Sequence, residues 1–170
     1  MTIPLQTSKV WLIPLSEADE DLFVELYTSA RLMRKIAEPF SVERAKKAFQ
    51  ATLSAIQNNP PKIMSWVIRD KLANTAMGIV GFSDIIYPEQ AELGIILRLE
   101  AHGKGIVVEV GDTLCDYALK QVGLHRIRAE HHIDNRITQR ILRQMGFNPP
   151  QPHKCKDDTL ECYLTKSKFS

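Results

Sequence analysis

Cysteine is scarce in this chain, with Cys115, Cys155 and Cys162 the only three among 170 residues. An odd count at such spacings builds no disulfide framework and fits a reducing compartment. Cys155 and Cys162 flank the turn "KDDT" with His153 nearby, which raises a metal site. No close C-x-x-C pair and no clear fourth ligand accompany them, so reduced thiols are expected. A dominant charge is also missing: 22 Lys and Arg oppose 20 Asp and Glu, a net of +2. No basic block marks a nucleic-acid binder. Long hydrophobic runs are absent as well. Nothing approaches the roughly 20 apolar residues of a membrane span, and no basic segment leads into an apolar one at the N-terminus. Repeats and low-complexity tracts are lacking. These absences predict a cytoplasmic protein with neither nucleic acid nor membrane as partner.

What is present is ordinary globular composition, 44% hydrophobic and 25% charged, enough for a single domain over residues 1–170 with a sizeable core. Val10 to Leu15 reads as a first strand. Ser16 then caps a helix whose stripe is Leu22, Phe23, Leu26 and Tyr27, and Ser41 caps a second helix from about Val42 to Gln57. "NNPP" breaks the chain, and the period then changes. "MSWVIRD", "AMGIVGFSDII" and "AELGIILRL" read as three strands. A helix follows from Gly105 to about Gln121, then the strand "HRIRAEHHI", the helix "NRITQRILRQM" with Gly146 as C-cap, and a closing hairpin near Asp157-Asp158. The order β-α-α-β-β-β-α-β-α-β-β predicts an α/β protein on a mixed sheet. Trp11, Trp66 and Phe147 read as core.

Gly103-Lys104-Gly105 sits between the third of those strands and the helix that follows it. Successive amides at a strand-to-helix turn form a concave anion site, and glycine lets a ligand approach the backbone. Two familiar phosphate loops do not fit. Position 108 is Val where a dinucleotide fingerprint needs a third glycine, and Gly105 stands where a P-loop needs Ser or Thr. A tight turn without a ligand is the plainer reading of an isolated G-K-G.

The stretch "ELGIILRLEAHGKGIVVEVGDTLCDYALKQVGLHRIRAEHHIDNRITQRILRQMGF", Glu92 to Phe147, resembles the acyl-CoA-binding core of the GNAT N-acetyltransferases. It is most similar to the branch that acetylates ribosomal-protein N-termini. The resemblance rests on a strand, a G-x-G loop, a helix, "GLHRIRAE", Asp134-Asn135, Thr138 and a Gly146-Phe147 close. It implies a GNAT-type mixed, mostly antiparallel sheet with a splayed central strand pair, flanked by helices. It also implies acetyl-CoA as co-substrate, without a metal, and an amine acceptor on a monomer or homodimer. The pyrophosphate would rest on the amides of His102, Gly103, Lys104, Gly105, Ile106 and Val107. Pantetheine would pair with backbone around Leu97, and Asn135 would bond the pantetheine arm or a water beside it. Asn135 reads equally as a helix cap. Two positions depart from the family. Glu100 stands where Arg or Gln is usual three residues before the first glycine, which Lys104, Arg98 or Arg140 could offset. Leu142 stands where many members carry a tyrosine.

Acetyl transfer needs a neutral amine, a polarised carbonyl and a protonated leaving thiolate. Glu92 is the favoured base; by alternation it shares a strand face with Gly94, Ile96 and Arg98. A solvated strand-end acid is the competing reading, and Glu109 is the second choice of base, more in keeping with a surface charge. Thr138 takes the position of the serine that serves the N-terminal branch as acid. It reads alternatively as a first-turn residue bonding only backbone. His131 and His132 point to opposite faces, so at most one sees the acceptor. The acceptor surface is expected from the two N-terminal helices and the loop "SARLMRKIAEPF". The leading function is acetyl transfer to a primary amine, protein N-terminal or small-molecule. A non-catalytic acyl-CoA-binding or regulatory domain is the alternative, and a cofactor-free binding module a third reading.

Overall fold

Alternation and capping residues set the elements, which we describe from a computed structural model covering residues 2–165. The strands are β1 (Leu5–Gln6), β2 (Val10–Pro14), β3 (Met64–Asp70), β4 (Ala76–Ile86), β5 (Gln90–Leu97), β6 (Arg126–His132), β7 (Gln151–Pro152) and β8 (Thr159–Thr165). The helices are α1 (Glu20–Thr28), α2 (Ala30–Met33), α3 (Val42–Ile56), α4 (Ile106–Tyr117) and α5 (Arg136–Gln144). Ser41 Oγ accepts the Arg44 amide at 3.2 Å, and the Ser16 amide donates to Asp19 Oδ2 at 2.8 Å. Ser41 thus caps α3 as expected, whereas Ser16 starts a 3-10 turn over Glu17–Asp19 that leads into α1 at Glu20. Beyond the elements predicted from sequence, the structure adds the two-residue β1 and the single-turn α2, both too short to leave a periodic signal. The helix expected to reach Gln121 ends its α-helical part at Tyr117 and continues as a π-turn over Ala118–Val122, closed by Gly123.

The eight strands form one sheet in the order β1-β2-β3-β4-β5-β6-β8-β7. Every pairing is antiparallel except β5 with β6, the one parallel pair. This is the mixed, mostly antiparallel architecture expected from the sequence. Helices cover both faces, so alternate side chains of the central strands enter two separate apolar layers. On one face α4 and α5 pack over Leu12, Trp66, Phe82, Leu97 and Ile127. Trp66 anchors that layer, edge-on to Phe82 and Tyr117 at centroid distances of 6.4 and 5.9 Å. Its indole N–H donates to Ile3 O at 2.7 Å, which satisfies the one polar group it buries. On the other face Phe23 of α1 and Phe49 of α3 pack over Val67, Ile79 and Ile96. That second layer stops at β3. Trp11, on β2 beyond it, is 41% exposed under the Lys71 ammonium rather than in the core.

The turn between β1 and β2 is tied to the first turn of α4 through Glu109. Its Oε1 accepts the Ser8 hydroxyl at 2.7 Å and the Lys9 amide at 3.1 Å. Hydrogen bonds from Thr7, Ser8 and Lys9 hold the carboxyl down at about 2, so Glu109 ties this turn to the helix as a carboxylate. A carboxyl depressed in the fold stabilises fully above its ordinary value near 4.5, and the effect is lost as pH falls toward 2. Glu109→Gln is therefore expected to cost about 1–2 kcal/mol at pH 7, the range for a partly exposed charged hydrogen bond. The difference from the parent should shrink steadily between pH 4.5 and 2 in urea unfolding. A cost independent of pH would mean that the carboxylate charge contributes nothing.

Candidate active site

The parallel pairing of β5 with β6 lasts only three residues, Gln90 to Glu92 against Arg126 to Arg128. Beyond that point β5 stays with β4 as far as Leu97, and β6 stays with β8 as far as His132. The two strands part, as the resemblance implied. Alternation then fixes which backbone groups face the gap. Arg98 N donates to Met77 O at 2.8 Å, so the next pair inward, Leu97 opposite Gly78, is a non-hydrogen-bonded pair. The N–H and C=O of Leu97 therefore point away from β4, into the gap, and those of Ile95 and Leu93 follow by period two.

At the mouth of the gap the chain makes a 3-10 turn over Leu99–Ala101, then enters α4. Gly103 and Gly105 have φ of +75° and +72°, and a Cβ built on either would meet no atom within 4 Å. Conformation, not crowding, demands glycine here. Among the described residues no protein acceptor serves the amides of Gly103 through Val108; the first helical bond runs from Glu109 N to Gly105 O. These amides lie at the N-terminus of a 12-residue helix, where the dipole adds positive potential. Ile106 is buried, Val107 half-buried and Lys104 exposed, with the Lys104 carbonyl accepting Lys9 Nζ at 3.3 Å. The His102 amide is not part of the set. It donates to Leu99 O at 3.1 Å, and the His102 ring lies 3.0 Å from Leu97 O.

One of the expected charge offsets sits elsewhere. Arg98 makes a bidentate pair with Glu25 at 2.8 and 2.6 Å and a third bond to Ala76 O, so it faces α1 rather than the loop. Glu100 is exposed in the 3-10 turn, and Arg140 is exposed on α5. Past β6, Asn135 Oδ1 accepts the Thr138 amide at 3.2 Å, so the capping role of Asn135 is real. Thr138 is half-buried, and its hydroxyl bonds no protein group among the described residues. Leu142 is buried in the core, packed on the sheet side of α5.

On the α1/α3 face, where the strands part, Glu92 is not a solvated acid. Its side chain is 21% exposed and accepts Arg128 NH2 at 2.6 Å. Burial raises its pKa, and the Arg128 bond only partly opposes this. The same guanidinium nitrogen lies 3.5 Å from Glu130 Oε1 and 3.7 Å from Asp84 Oδ2. Asp84 has φ +46° in the β4–β5 bulge, the kind of backbone strain that re-aims a side chain. A cleft of about 640 Å³ opens beside these groups, lined by Ala55, Ile63, Ser83, Asp84, Gln90 and Arg128. Sequence reading missed Arg128 and Glu130. Their signal was available: Arg126, Arg128, Glu130 and His132 alternate onto the face that Glu92 shares. Arg31, Arg34 and Lys35 lie exposed, as a solvated basic face does.

His131 is buried on the opposite face and His132 is half-exposed, its Nδ1 accepting the Asp134 amide at 3.1 Å. The cysteines form no ligand set. Cys162 lies in the core with Sγ 3.8 Å from Ala129 O, and Cys155 is exposed. Glu130, His153 and Glu161 do bring three ligand-type atoms within 4.8 Å. However, His153 Nδ1 accepts the amides of Cys155 and Lys156 at 3.0 and 3.1 Å, which assigns the ring proton to Nε2, the atom facing Glu130. Lys156 Nζ holds the other Glu130 oxygen at 2.6 Å. A metal would need the lone pair that the proton occupies, so this is an ion network and not a metal centre.

A model of the acetyltransferase (GNAT) domain matches residues 9–148, and the chain belongs to that family. It is an N-acetyltransferase with acetyl-CoA as co-substrate, and the unpaired amides and strand edges described above suit that molecule. The uncharacterized N-acetyltransferase YoaA of Bacillus subtilis is 24% identical over 146 residues, 84% of this chain and 81% of the relative. Spermidine N-acetyltransferase from Vibrio cholerae, solved with CoA and spermine, shares the fold at TM-score 0.82, with 20% identity over 95% of this chain and 98% of that one. RimL, the ribosomal L7/L12 alpha-N-protein acetyltransferase solved with coenzyme A, gives TM-score 0.82 and 16% identity over 96% and 98%. No helix among the described residues is long and apolar enough to cross a membrane.

Gly103→Val should abolish coenzyme A binding in calorimetry while the protein stays folded. A β-branched residue at that φ costs about 1–3 kcal/mol and stands its side chain where the ligand approaches. Unchanged affinity in the folded variant would remove the loop from the site.

Proposed function

We propose that the chain, as one domain over residues 1–170, transfers the acetyl group to a primary amine by direct attack, with Glu92 as general base and Thr138 as general acid. The observation that carries this is the position of Glu92: a half-buried carboxylate, its pKa raised, at the point where the strands part and beside an open cleft. Bound acetyl-CoA supplies a thioester carbonyl and a thiolate leaving group. The amides of Gly103, Lys104, Gly105, Ile106 and Val107 hold its pyrophosphate, and the Leu97 backbone pairs with the pantetheine arm. Asn135 keeps its Nδ2 for that arm while Oδ1 caps α5. Glu92 takes one proton of the acceptor ammonium, directly or through water. The amine attacks the thioester carbonyl and the C–S bond breaks. The free Thr138 hydroxyl gives its proton to the departing sulfur and is reprotonated by the second proton lost from the new amide nitrogen.

The acceptor is a protein N-terminal amine or a small amine such as a polyamine. Asp84 lines the cleft together with Arg128 and Lys62, so the lining offers charges of both signs to an acceptor. Thr138, which keeps the hydroxyl found in the ribosomal-protein branch, favours the first class. The polyamine-acetylating relative of equal TM-score favours the second. The protein acts in the cytoplasm as a monomer or homodimer.

Thiol release measured against pH separates the two roles. Glu92→Gln should lose most at low pH, where the acceptor is protonated, and recover partly as pH rises. Thr138→Val should lower turnover across the range with acetyl-CoA affinity little changed, and Thr138→Ser should keep most activity. Each real participant is worth about 100- to 10,000-fold. Parental turnover in Thr138→Val would return Thr138 to a purely structural role. Running the assay over amines and N-terminal peptides decides the acceptor class.

A further inference from the structure

We infer that the His102 imidazole is a built-in competitor of the cofactor arm, occupying the carbonyl with which pantetheine pairs. The inference rests on the reading that pantetheine lies in the gap between β5 and β6. Leu97 O points into that gap because Leu97 and Gly78 form a non-hydrogen-bonded pair. Nothing in the sheet can satisfy it, since β6 has already left. A carbonyl in that position needs a donor. His102 provides one: its Nε2 lies 3.0 Å from Leu97 O, five residues back along the chain. The intervening 3-10 turn makes the return possible, with Ala101 N bonded to Arg98 O and His102 N to Leu99 O.

The ring is held by that one bond among the described residues, and His102 is exposed. It is followed directly by Gly103 at φ +75°, so its side chain can swing to solvent without moving the loop amides. An amide N–H of the pantetheine arm that pairs with Leu97 O must displace the imidazole. Cofactor binding therefore exchanges one hydrogen bond for another at this carbonyl instead of gaining one. His102 thereby tunes affinity for the arm while leaving the phosphate loop alone.

The test is calorimetry on the parent, His102→Ala and His102→Phe with two probes, coenzyme A and adenosine 3′,5′-diphosphate, which lacks the arm. A hydrogen bond of ordinary net strength corresponds to about a two- to tenfold change. His102→Ala should bind coenzyme A tighter by that factor and the diphosphate with parental affinity. His102→Phe, which cannot donate, should gain in the same direction. Parental or weaker coenzyme A affinity in His102→Ala overturns the inference, as does an equal gain for both probes, which would place the effect on the loop. Failure of the parent to bind coenzyme A at all would instead remove the underlying reading of the gap.

Discussion

A parallel strand pair that stays together for only three residues imposes the rest of this architecture. Every buried backbone group needs a partner, and β5 and β6 each find one on their outer side, in β4 and β8. Their inner edges are left facing each other, each with a ladder of donors and acceptors. An extended, amide-bearing molecule matches the spacing of such an edge, which is why a pantetheine arm suits the gap. The phosphate end follows from the same cause. A strand that leaves its neighbour early must turn at its end, and here the turn delivers the chain into α4 with six amides that find no acceptor among the described residues.

The parting also decides the electrostatics of the opposite face. Arg128 is the last residue of β6 paired with β5, so its guanidinium arrives beside Glu92 at the apex of the gap. A single bidentate partner would pull a carboxylate pKa well down. Here one guanidinium nitrogen is shared among Glu92, Glu130 and Asp84, and Glu130 has Lys156 as well. Glu130 ends below the usual carboxylate range despite its burial, whereas Glu92 ends above it. Two acids on adjoining strands thus diverge because desolvation and the nearby Glu130 and Asp84 charges outweigh the Arg128 bond at Glu92, whereas the Lys156 bond tips the balance the other way at Glu130. The acid left with the weaker hold is the one beside the cleft, which is the property a base at that position requires.

Sequence reading reached the order of the large elements, the Ser41 cap and the tight glycine turn, because each has a local cause: a period, a capping oxygen, a positive φ. It did not reach β1 or α2, which owe their existence to β2 and to the α1–α3 connection. Trp11 was read as core from its residue type, but burial depends on where the α1/α3 layer ends. Arg98 was read as a loop cation, yet its partner Glu25 is 73 residues away and invisible to local pattern. The Arg128 network lies between these cases. Its alternation was in the sequence, but the pairing of β6 with β5 that makes the alternation meaningful is tertiary.

Asn135 and Thr138 show how a structural role and the chemical one proposed for them can occupy the same turn without competing. A cap needs one side-chain oxygen and one backbone N–H; Asn135 Oδ1 and the Thr138 amide fill those two places. The Asn135 Nδ2 and the Thr138 Oγ1 are the groups the cap leaves over. The cap also fixes the Thr138 backbone, and branching at Cβ then restricts its χ1. A hydroxyl on such a side chain is held in one of few directions, at little entropic cost, before any substrate arrives. That is what a proton donor in place of the missing tyrosine needs. Leu142, meanwhile, serves the core where the tyrosine would have served the chemistry. The helix start, rather than its far end, is therefore where the acid proposed here would sit.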